Sequence, residues 1–316
     1  MEVVGVTLGK IEVQHKRFEG VNFPILCDGN VSDQLEKIQN LTYRKGDVFI
    51  MSYPRSGTHW VREIVTMLMK GKAEYMVKDY MDFPIELLDI DAVETEASPR
   101  VLYSHMPYRY LPKEHLAQNG KVIGCFRDPK DVMASSFHFL NNLLANSISW
   151  DIFFEAGLKG DVTYGSWFEW RDQWKTALEQ HENNPPLTVQ YEEASKNLAA
   201  HVTRIAEYLQ VTYTDDLIED IAHACEFKNM KAAKSKTKAN MMKRIDEGIR
   251  KSETISLGDV NEDILENSAI RKGVVGDWKS LFTPEQTEIF KRIYREKAIP
   301  DHPLEFEEYL ENITTE

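Results

Sequence analysis

The chain has 316 residues, of which 42% are hydrophobic and 28% are charged, a composition that allows an ordinary apolar core. Its formal net charge of −13 argues against a general nucleic-acid binder, which needs a basic face for phosphates, but leaves room for a local anion site. Its cysteines, Cys27, Cys125 and Cys225, show neither a zinc-binding spacing nor a disulfide framework, which suits a reducing compartment.

Strand-like runs alternate with helical patterns after a first segment, residues 1–45, that we expect to form an arm or first layer. The strand-like runs are 47–53, 100–105, 121–126 and 187–191, and the helical patterns are 57–71, 129–144, 166–182 and 194–209. This alternation predicts an α/β fold in which a mainly parallel central sheet is flanked by helices. Such sheets bind ligands beyond the carboxyl ends of their strands.

We interpret residues 1–316 as a single domain. The stretch 231–270 carries many charges and few apolar residues, so we expect a lid or surface excursion there and no second core. The first residues lack the basic and apolar parts of a signal peptide, and no apolar run approaches membrane-spanning length. We therefore expect a cytoplasmic protein without a membrane or nucleic-acid partner.

The loop Tyr53–Trp60, YPRSGTHW, joins a strand-like run to a helical pattern. A helix N-terminus presents free N–H groups and the positive end of the helix dipole, both of which suit an oxyanion. Gly57 lets the backbone approach a ligand, Ser56 and Thr58 offer hydroxyl groups, and Arg55 adds a charge. The loop predicts a P-loop-like site for phosphate or a related group. It lacks the second Gly and the Lys of a Walker A motif, and an ordinary strand-to-helix turn is the alternative.

Two further stretches supply cations. Arg127 directly follows the run 121–126 at the same predicted sheet edge, and Ser135 lies eight residues later on a helix. Near the C-terminus, residues 271–279 read RKGVVGDWK, with two basic residues before a glycine-containing loop. These cations favour the anion site over an ordinary strand-to-helix turn, because charge-assisted bonds to Arg are strong.

These motifs resemble those of the cytosolic sulfotransferases, in order along the chain. Residues 53–60 resemble their 5′-phosphosulfate loop, usually YPKSGTTW, and residues 271–279 resemble their RKGxxGDWK signature. Residues 126–135 are similar to their RNPKDVxxS element. Further likenesses are Tyr164–Trp167 with Trp174, and Tyr191–Glu193. The resemblance covers about residues 20 to 300.

The resemblance implies transfer of a sulfuryl group from 3′-phosphoadenosine 5′-phosphosulfate (PAPS) to a hydroxyl or amine, with PAP as the nucleotide product and no metal. Residues expected at the 5′ end are Arg55, Ser56, Gly57, Thr58, His59 and Trp60. Those expected at the 3′-phosphate are Arg127, Ser135, Arg271, Lys272 and Gly273. Those expected at the adenine are Trp60, Tyr191 and Phe227.

The resemblance also implies His105 as the general base of an in-line displacement, with Arg55 stabilising the leaving group. Phe23, Phe83, Phe139 and His105 fall where the family lines its acceptor pocket. Such a wall suits a phenol, a steroid-like alcohol or another small apolar acceptor.

The sequence departs from the family pattern at several positions. Arg55 replaces the usual Lys, His59 replaces a Thr, and Glu226 stands where a hydroxyl is usual. A homodimer through 279–288 is expected from the family's dimer motif, although Pro284 takes the place of its Val. These differences bear on rate, donor affinity and dimerisation.

Two other readings stay open. A kinase-like P-loop enzyme would share the sheet but would need the missing G-K-[ST], and metal-dependent ATP turnover would identify it. A relative of the same fold could bind the nucleotide without sulfating, as a binding protein or a dehydratase, and the changes at Arg55 and His59 leave room for it.

Overall fold

The computed structural model describes residues 2–27, 29–76, 83–144, 148–181, 185–233 and 271–297, and these begin with a small antiparallel sheet. Its strands are β1 (Glu2–Leu8), β2 (Ile11–Phe18) and β3 (Val21–Pro24). In the turn between β2 and β3, Glu19 and Gly20 both have positive φ, of 47° and 80°, which suits the twist of a two-residue hairpin. This sheet and helix α1 (Val31–Gln39) form the first layer predicted for residues 1–45.

Four parallel strands form the central sheet. They are β4 (Val48–Ser52), β5 (Val101–Ser104), β6 (Lys121–Phe126) and β7 (Leu187–Gln190), in the spatial order β5-β4-β6-β7. Side chains alternate along β4, so Phe49 and Met51 pack into one core cluster while Val48 and Ile50 pack into another. Every residue of β4 is buried, as expected for a parallel strand covered on both faces.

Helices cover both faces of the central sheet. They are α2 (Thr58–Lys70), α3 (Ile90–Thr95), α4 (Lys113–Ala117), α5 (Pro129–Leu143), α6 (Trp150–Lys159), α7 (Trp167–Gln180), α8 (Tyr191–Lys196), α9 (Leu198–Leu209), α10 (Asp215–Ala224) and α11 (Pro284–Glu296). Short 3₁₀ turns lie at Ile85–Leu87, Tyr108–Tyr110 and Asp277–Ser280. Helices α2, α9 and α10 pack on one face, and α1, α5, α7 and α11 pack on the other.

The predicted single helix over 194–209 is wrong, because Asn197 interrupts it. Asn197 ends α8 and caps α9, with φ of −143°, and its side chain accepts a hydrogen bond from the N–H of Ala200. Asn side chains bond to nearby backbone groups and so favour helix ends over helix interiors.

The predicted α/β class, with a parallel sheet between helical layers, is confirmed. The predicted lid falls mainly on residues 234–270, which lie outside the described residues. Within the described ranges, no helix has the length and apolar character needed to cross a bilayer.

Candidate active site

A cavity of about 690 Å³ opens at the carboxyl edge of the central sheet. Each parallel strand contributes the residue that follows its end: Tyr53 after β4, His105 after β5, Arg127 after β6 and Tyr191 after β7. The predicted site residues that line the cavity are Arg55, Gly57, Thr58, His59, Trp60, Phe83, His105, Arg127, Ser135, Phe139, Tyr191, Phe227, Arg271, Lys272 and Gly273. Parallel strands end at one edge, so this topology gathers residues that are far apart in sequence.

The loop before α2 is shaped for close approach of a ligand to the backbone. Gly57 caps α2 with φ of 105°, and a Cβ there would come within 2.9 Å of the Tyr191 ring. No side chain caps the N-terminus of α2 at Gly57, and the positive end of the helix dipole lies at this loop. The hydroxyl of Ser56 is buried and has no hydrogen-bond partner among the described residues.

Arg55 links the predicted nucleotide and acceptor sides of the cavity. It adopts a left-handed backbone conformation, with φ of 72°. Its Nε donates a 3.1 Å hydrogen bond to Ser135 Oγ, and its guanidinium lies 4.8 Å from the centre of the Phe139 ring. Desolvation, together with the charges of Arg127 and Arg271, lowers the pKa of Arg55 to about 10. Arg55 therefore stays cationic at neutral pH.

Arg127, Arg271 and Lys272 form a cationic group that two aspartates hold in place. Arg127 lies 3.5 Å from Asp131 and donates to the Val274 carbonyl at 3.0 Å, while its Nε is buried without a described partner. Arg271 and Lys272 both form ion pairs with Asp277, and Lys272 Nζ lies 2.7 Å from the Asp277 carboxylate. Burial raises the pKa of Asp277, but the hydrogen bonds from Lys272 and Arg271 outweigh it and the net shift is downward.

Asp131 was not among the predicted site residues, yet it anchors the loop that carries Arg271 and Lys272. One carboxylate oxygen accepts from the N–H of Gly276 at 2.7 Å, and the other accepts from the N–H of Trp278 at 3.0 Å. Its place in the first turn of α5, within the motif 126–135, is the only sequence signal for this role.

Aromatic rings surround the predicted adenine position. Trp60 packs edge-on against Tyr191 at 5.2 Å and donates from Nε1 to the Cys225 carbonyl at 2.8 Å. Phe227 is 38% exposed, so its face is accessible. A Cβ on Gly273 would come within 2.0 Å of that ring, which explains why this position needs a glycine.

His105 is fixed as a neutral imidazole with one free nitrogen. Its Nδ1 lies 2.8 Å from the Ser52 carbonyl oxygen, which can only accept, so Nδ1 carries the proton and Nε2 keeps its lone pair. Burial lowers the pKa of His105 to about 4, with the bond to Ser52 opposing the shift and the charge of Arg55 adding to it. The ring lines the cavity and is unprotonated at neutral pH.

Glu86 supports His105 from behind, and no pattern in the sequence pointed to it. Its buried carboxylate accepts from the His105 N–H at 3.0 Å and from the Ser104 hydroxyl at 2.9 Å. Burial raises the pKa of Glu86, while these hydrogen bonds lower it. A lone acid inside an apolar run, Ile85–Leu87, is the feature that could have drawn attention to it.

Two predicted residues lie near the cavity without lining it. Ser56 is buried, with 1% of the residue exposed. Phe23 is fully buried and packs edge-on against Tyr110 at 6.1 Å and Tyr164 at 6.5 Å. Because the Tyr164 ring itself lines the cavity, Phe23 stands one layer behind the wall. His59 does line the cavity and packs edge-on against Tyr103 at 5.2 Å.

The sequence matches the family description "Sulfotransferase domain" over residues 45–300. The chain belongs to the sulfotransferase family. This sulfotransferase is 31% identical to sulfotransferase 1B1 of Canis lupus familiaris, over 87% of this chain and 90% of that protein. It is also 31% identical to the amine sulfotransferase of Oryctolagus cuniculus, over 92% of each chain. Its general reaction is therefore sulfuryl transfer.

Solved structures agree with this assignment. A mouse sulfotransferase, SULT7A1, crystallised with PAP, superposes with a TM-score of 0.69 at 29% identity and covers 91% of this sulfotransferase and 95% of that chain. Retinol dehydratase in complex with retinol and PAP superposes with a TM-score of 0.65 at 21% identity, covering 87% of each chain, which shows a shared fold. Among the described residues of this sulfotransferase, no group of three or more His, Cys, Asp or Glu side chains could hold a metal ion.

Proposed function

We propose that this sulfotransferase transfers the sulfuryl group of PAPS to a hydroxyl, or an amine, of a small apolar or aromatic acceptor, with His105 as general base. The observation that carries the proposal is the state of His105. A neutral imidazole, held through Nδ1 on the Ser52 carbonyl, shares one cavity with Arg55 and the start of α2. A base and an anion site in one cavity are what sulfuryl transfer to a hydroxyl needs.

Two buried polar atoms support the fit of the nucleotide. Ser56 Oγ and Arg127 Nε have no hydrogen-bond partner among the described residues, although buried polar atoms are normally paired. Ser56 belongs to the loop proposed for the 5′ end, and Arg127 belongs with Arg271 and Lys272 to the group proposed for the 3′-phosphate. PAP in the mouse SULT7A1 crystal structure supports the same ligand here. When bound, PAPS would supply the sulfuryl group and leave as PAP.

Three side chains, those of His105, Arg55 and Glu86, have different roles in the proposed reaction. His105 Nε2 accepts the proton of the acceptor hydroxyl as its oxygen attacks sulfur. Arg55 carries a fixed charge beside the loop, where it stabilises the negative charge that develops on the leaving oxygen. Glu86 accepts a hydrogen bond from the backbone N–H of His105 and so helps to orient the base. This contact does not involve the imidazole ring, which stays neutral.

The acceptor wall is mainly apolar. Phe83 and Phe139 line the cavity together with His105, and Arg55 lies over the Phe139 ring. An apolar wall beside the base supports a flat or aliphatic acceptor with one reactive polar group. The name of the rabbit relative supports keeping amines beside alcohols and phenols as candidates.

Labelled PAPS, presented with a panel of alcohols, phenols and amines, tests the proposal. We expect labelled sulfated product from at least one acceptor. His105→Ala should lower turnover by roughly 10²-fold or more while PAP affinity, measured by calorimetry, is unchanged. The matched control is His201→Ala on the outer side of α9, which should leave both quantities unchanged.

Two outcomes would contradict the proposal. Turnover of His105→Ala close to that of the parent would remove the general base. Tight PAP binding without product from any acceptor would favour the nucleotide-binding protein or dehydratase reading.

A further inference from the structure

A second histidine, His15, lines the same cavity from the small antiparallel sheet. It lies on β2 opposite Pro24 of β3, and its side chain is buried, with only 2% of the residue exposed. The sequence motifs gave His15 no role. Its position is set by the N-terminal sheet and not by the strands that carry the reaction.

One nitrogen of His15 is paired and the other is not. Nε2 lies 2.9 Å from Thr163 Oγ1, whereas Nδ1 has no hydrogen-bond partner among the described residues. Burial, with a smaller contribution from the charge of Arg17, lowers the pKa of His15 to about 4, although the nearby Val13 carbonyl opposes the shift. The ring is neutral at physiological pH. A buried ring nitrogen without a hydrogen-bond partner is unfavourable, so a partner supplied by a ligand would be favourable.

The two histidines lie on either side of one segment of the cavity wall. Thr163, which holds His15, precedes Tyr164, whose ring is 5.4 Å from the His105 ring. Apolar side chains, Leu140 and Phe153 among them, line the rest of this part of the cavity. This part of the cavity is therefore mainly apolar, with His15 and His105 among its polar groups.

We propose that His15 Nδ1 binds a second hydroxyl group of the acceptor, distant from the hydroxyl that reacts. The inference rests on the proposed function and narrows the acceptor to elongated, mainly apolar diols. A hydroxyl is the group that fits either tautomer. If Thr163 donates to Nε2, Nδ1–H needs an acceptor, and if Thr163 accepts from Nε2, the Nδ1 lone pair needs a donor. A neutral imidazole gives no charge with which to select a carboxylate.

The test compares α,ω-alkanediols with n-alkanols of the same chain length. The parent should prefer the diol, beyond the statistical factor of two, by about tenfold in kcat/KM at one best length, because a site built for a hydroxyl discriminates against a ligand that lacks it. His15→Phe should abolish that preference, His15→Gln should restore part of it, and Thr163→Val should weaken it by releasing the ring. The control His201→Phe should retain the full preference.

Binding separates failure of this inference from failure of the proposed function. Calorimetry on the PAP-loaded protein measures diol and alkanol affinity even if neither is sulfated. Tighter binding of the diol in the parent, lost in His15→Phe and retained in the control, supports the second hydroxyl site whatever the turnover. Equal affinity for diol and alkanol at every length in the parent, or a preference that persists in His15→Phe and His15→Gln, overturns it and leaves His15 as a packing residue.

Discussion

Arg55 differs from the family's usual Lys in what its side chain can contact. A guanidinium is a planar fork of donors that also stacks on aromatic faces, whereas an ammonium is a compact charge. Arg55 uses both properties, since Nε bonds to Ser135 and the plane lies over Phe139. The same residue therefore contacts both the predicted 3′-phosphate group and the acceptor wall.

Removing the charge at Arg55 should slow the reaction more than it weakens nucleotide binding. We expect Arg55→Ala to lower kcat by about 10²-fold, as for loss of a strong oxyanion donor. Arg55→Lys keeps the charge and should retain most of the turnover, although it loses the bond to Ser135. Single-turnover kinetics with labelled PAPS, and PAP titrations, measure the two effects separately. Parent-like transfer by both variants would mean that the leaving-group charge is met elsewhere.

The pH dependence of the reaction should report the burial of His105. Burial holds the pKa of His105 down at about 4, below its ordinary value of 6.5, so the base is unprotonated throughout the neutral range. As pH falls, kcat/KM should stay level through 6.5 and decline only towards 4. A non-ionising alcohol as acceptor isolates the enzyme's own titration. An inflection near 6.5 would contradict the buried, neutral state.

Low pH should also reduce the free energy of unfolding, because the pKa values of two buried histidines are lowered in the folded state. The folded-state pKa values of His15 and His105 both lie below the unfolded value, so the unfolded chain binds more protons as pH falls below 6.5. Each histidine thus contributes stability above 6.5 that is lost towards pH 4. Circular dichroism at each pH is the control that separates unfolding from loss of the base.

At the scale of elements, the start of α5 and the loop 271–278 form one unit. Asp131 accepts two backbone N–H groups from that loop and also lies beside Arg127. The cations proposed for the 3′-phosphate therefore come from two distant parts of the chain that one buried carboxylate joins.

Loss of the Asp131 carboxylate should loosen that unit. Asp131→Ala leaves two backbone donors without their acceptor, each at a cost of about 1–3 kcal/mol if buried. We expect a lower free energy of unfolding and PAP affinity reduced by about tenfold or more. Asp216→Ala removes the same charge from an exposed position in the first turn of α10, outside the cavity lining, and should leave PAP affinity unchanged. Unchanged PAP affinity in Asp131→Ala would separate the loop from nucleotide binding.

The segment 279–288, predicted to form a dimer contact, begins α11. Pro284 is the first residue of that helix, and Thr283 and Gln286 form a reciprocal capping box. Gln286 also joins α11 to α6, because Trp150 Nε1 donates to its Oε1 at 2.8 Å. These contacts lie within one chain, and the homodimer stays a prediction that sedimentation velocity tests.

At the scale of the whole molecule, an acidic chain concentrates cations around one cavity. The net charge is −13, yet Arg55, Arg127, Arg271 and Lys272 line the same space. The charges of Arg127 and Arg271 help lower the pKa of Arg55, which shows that these groups repel one another. A ligand with anionic groups at both ends would relieve that repulsion.

PAP should therefore stabilise the folded protein, and the 3′-phosphate should account for much of the effect. At a concentration 100 times its Kd, a ligand adds about 2.7 kcal/mol to the free energy of unfolding. At equal concentrations, PAP should raise Tm more than adenosine 5′-monophosphate does, and Arg271→Ala should narrow that difference. Added salt should weaken both effects. Equal Tm shifts from the two nucleotides would place Arg271 away from the 3′-phosphate.

The sequence by itself determined the features that depend on neighbours along the chain. Apolar runs and helical spacing were enough to predict the four strands of a mainly parallel sheet and helices α2, α5 and α7, but not α3, α4 or α6. The loop before α2 predicted an anion site through Gly57 and Arg55, because glycine permits the backbone conformation and arginine supplies the charge. Because the predicted parallel sheet is correct, His105 and Arg127 lie at the same edge, where both of their strands end.

The tertiary structure alone decided which polar atoms are paired and which apolar rings are covered. Phe23 lies behind Tyr164, Glu86 holds the backbone of His105, and Asp131 holds a loop 145 residues further along the chain. Likewise, Nε2 of His15 is paired with Thr163, which is 148 residues away along the chain. Local pattern carries no information on such contacts, because burial and hydrogen bonding depend on which distant segments the fold brings within a few ångströms of one another.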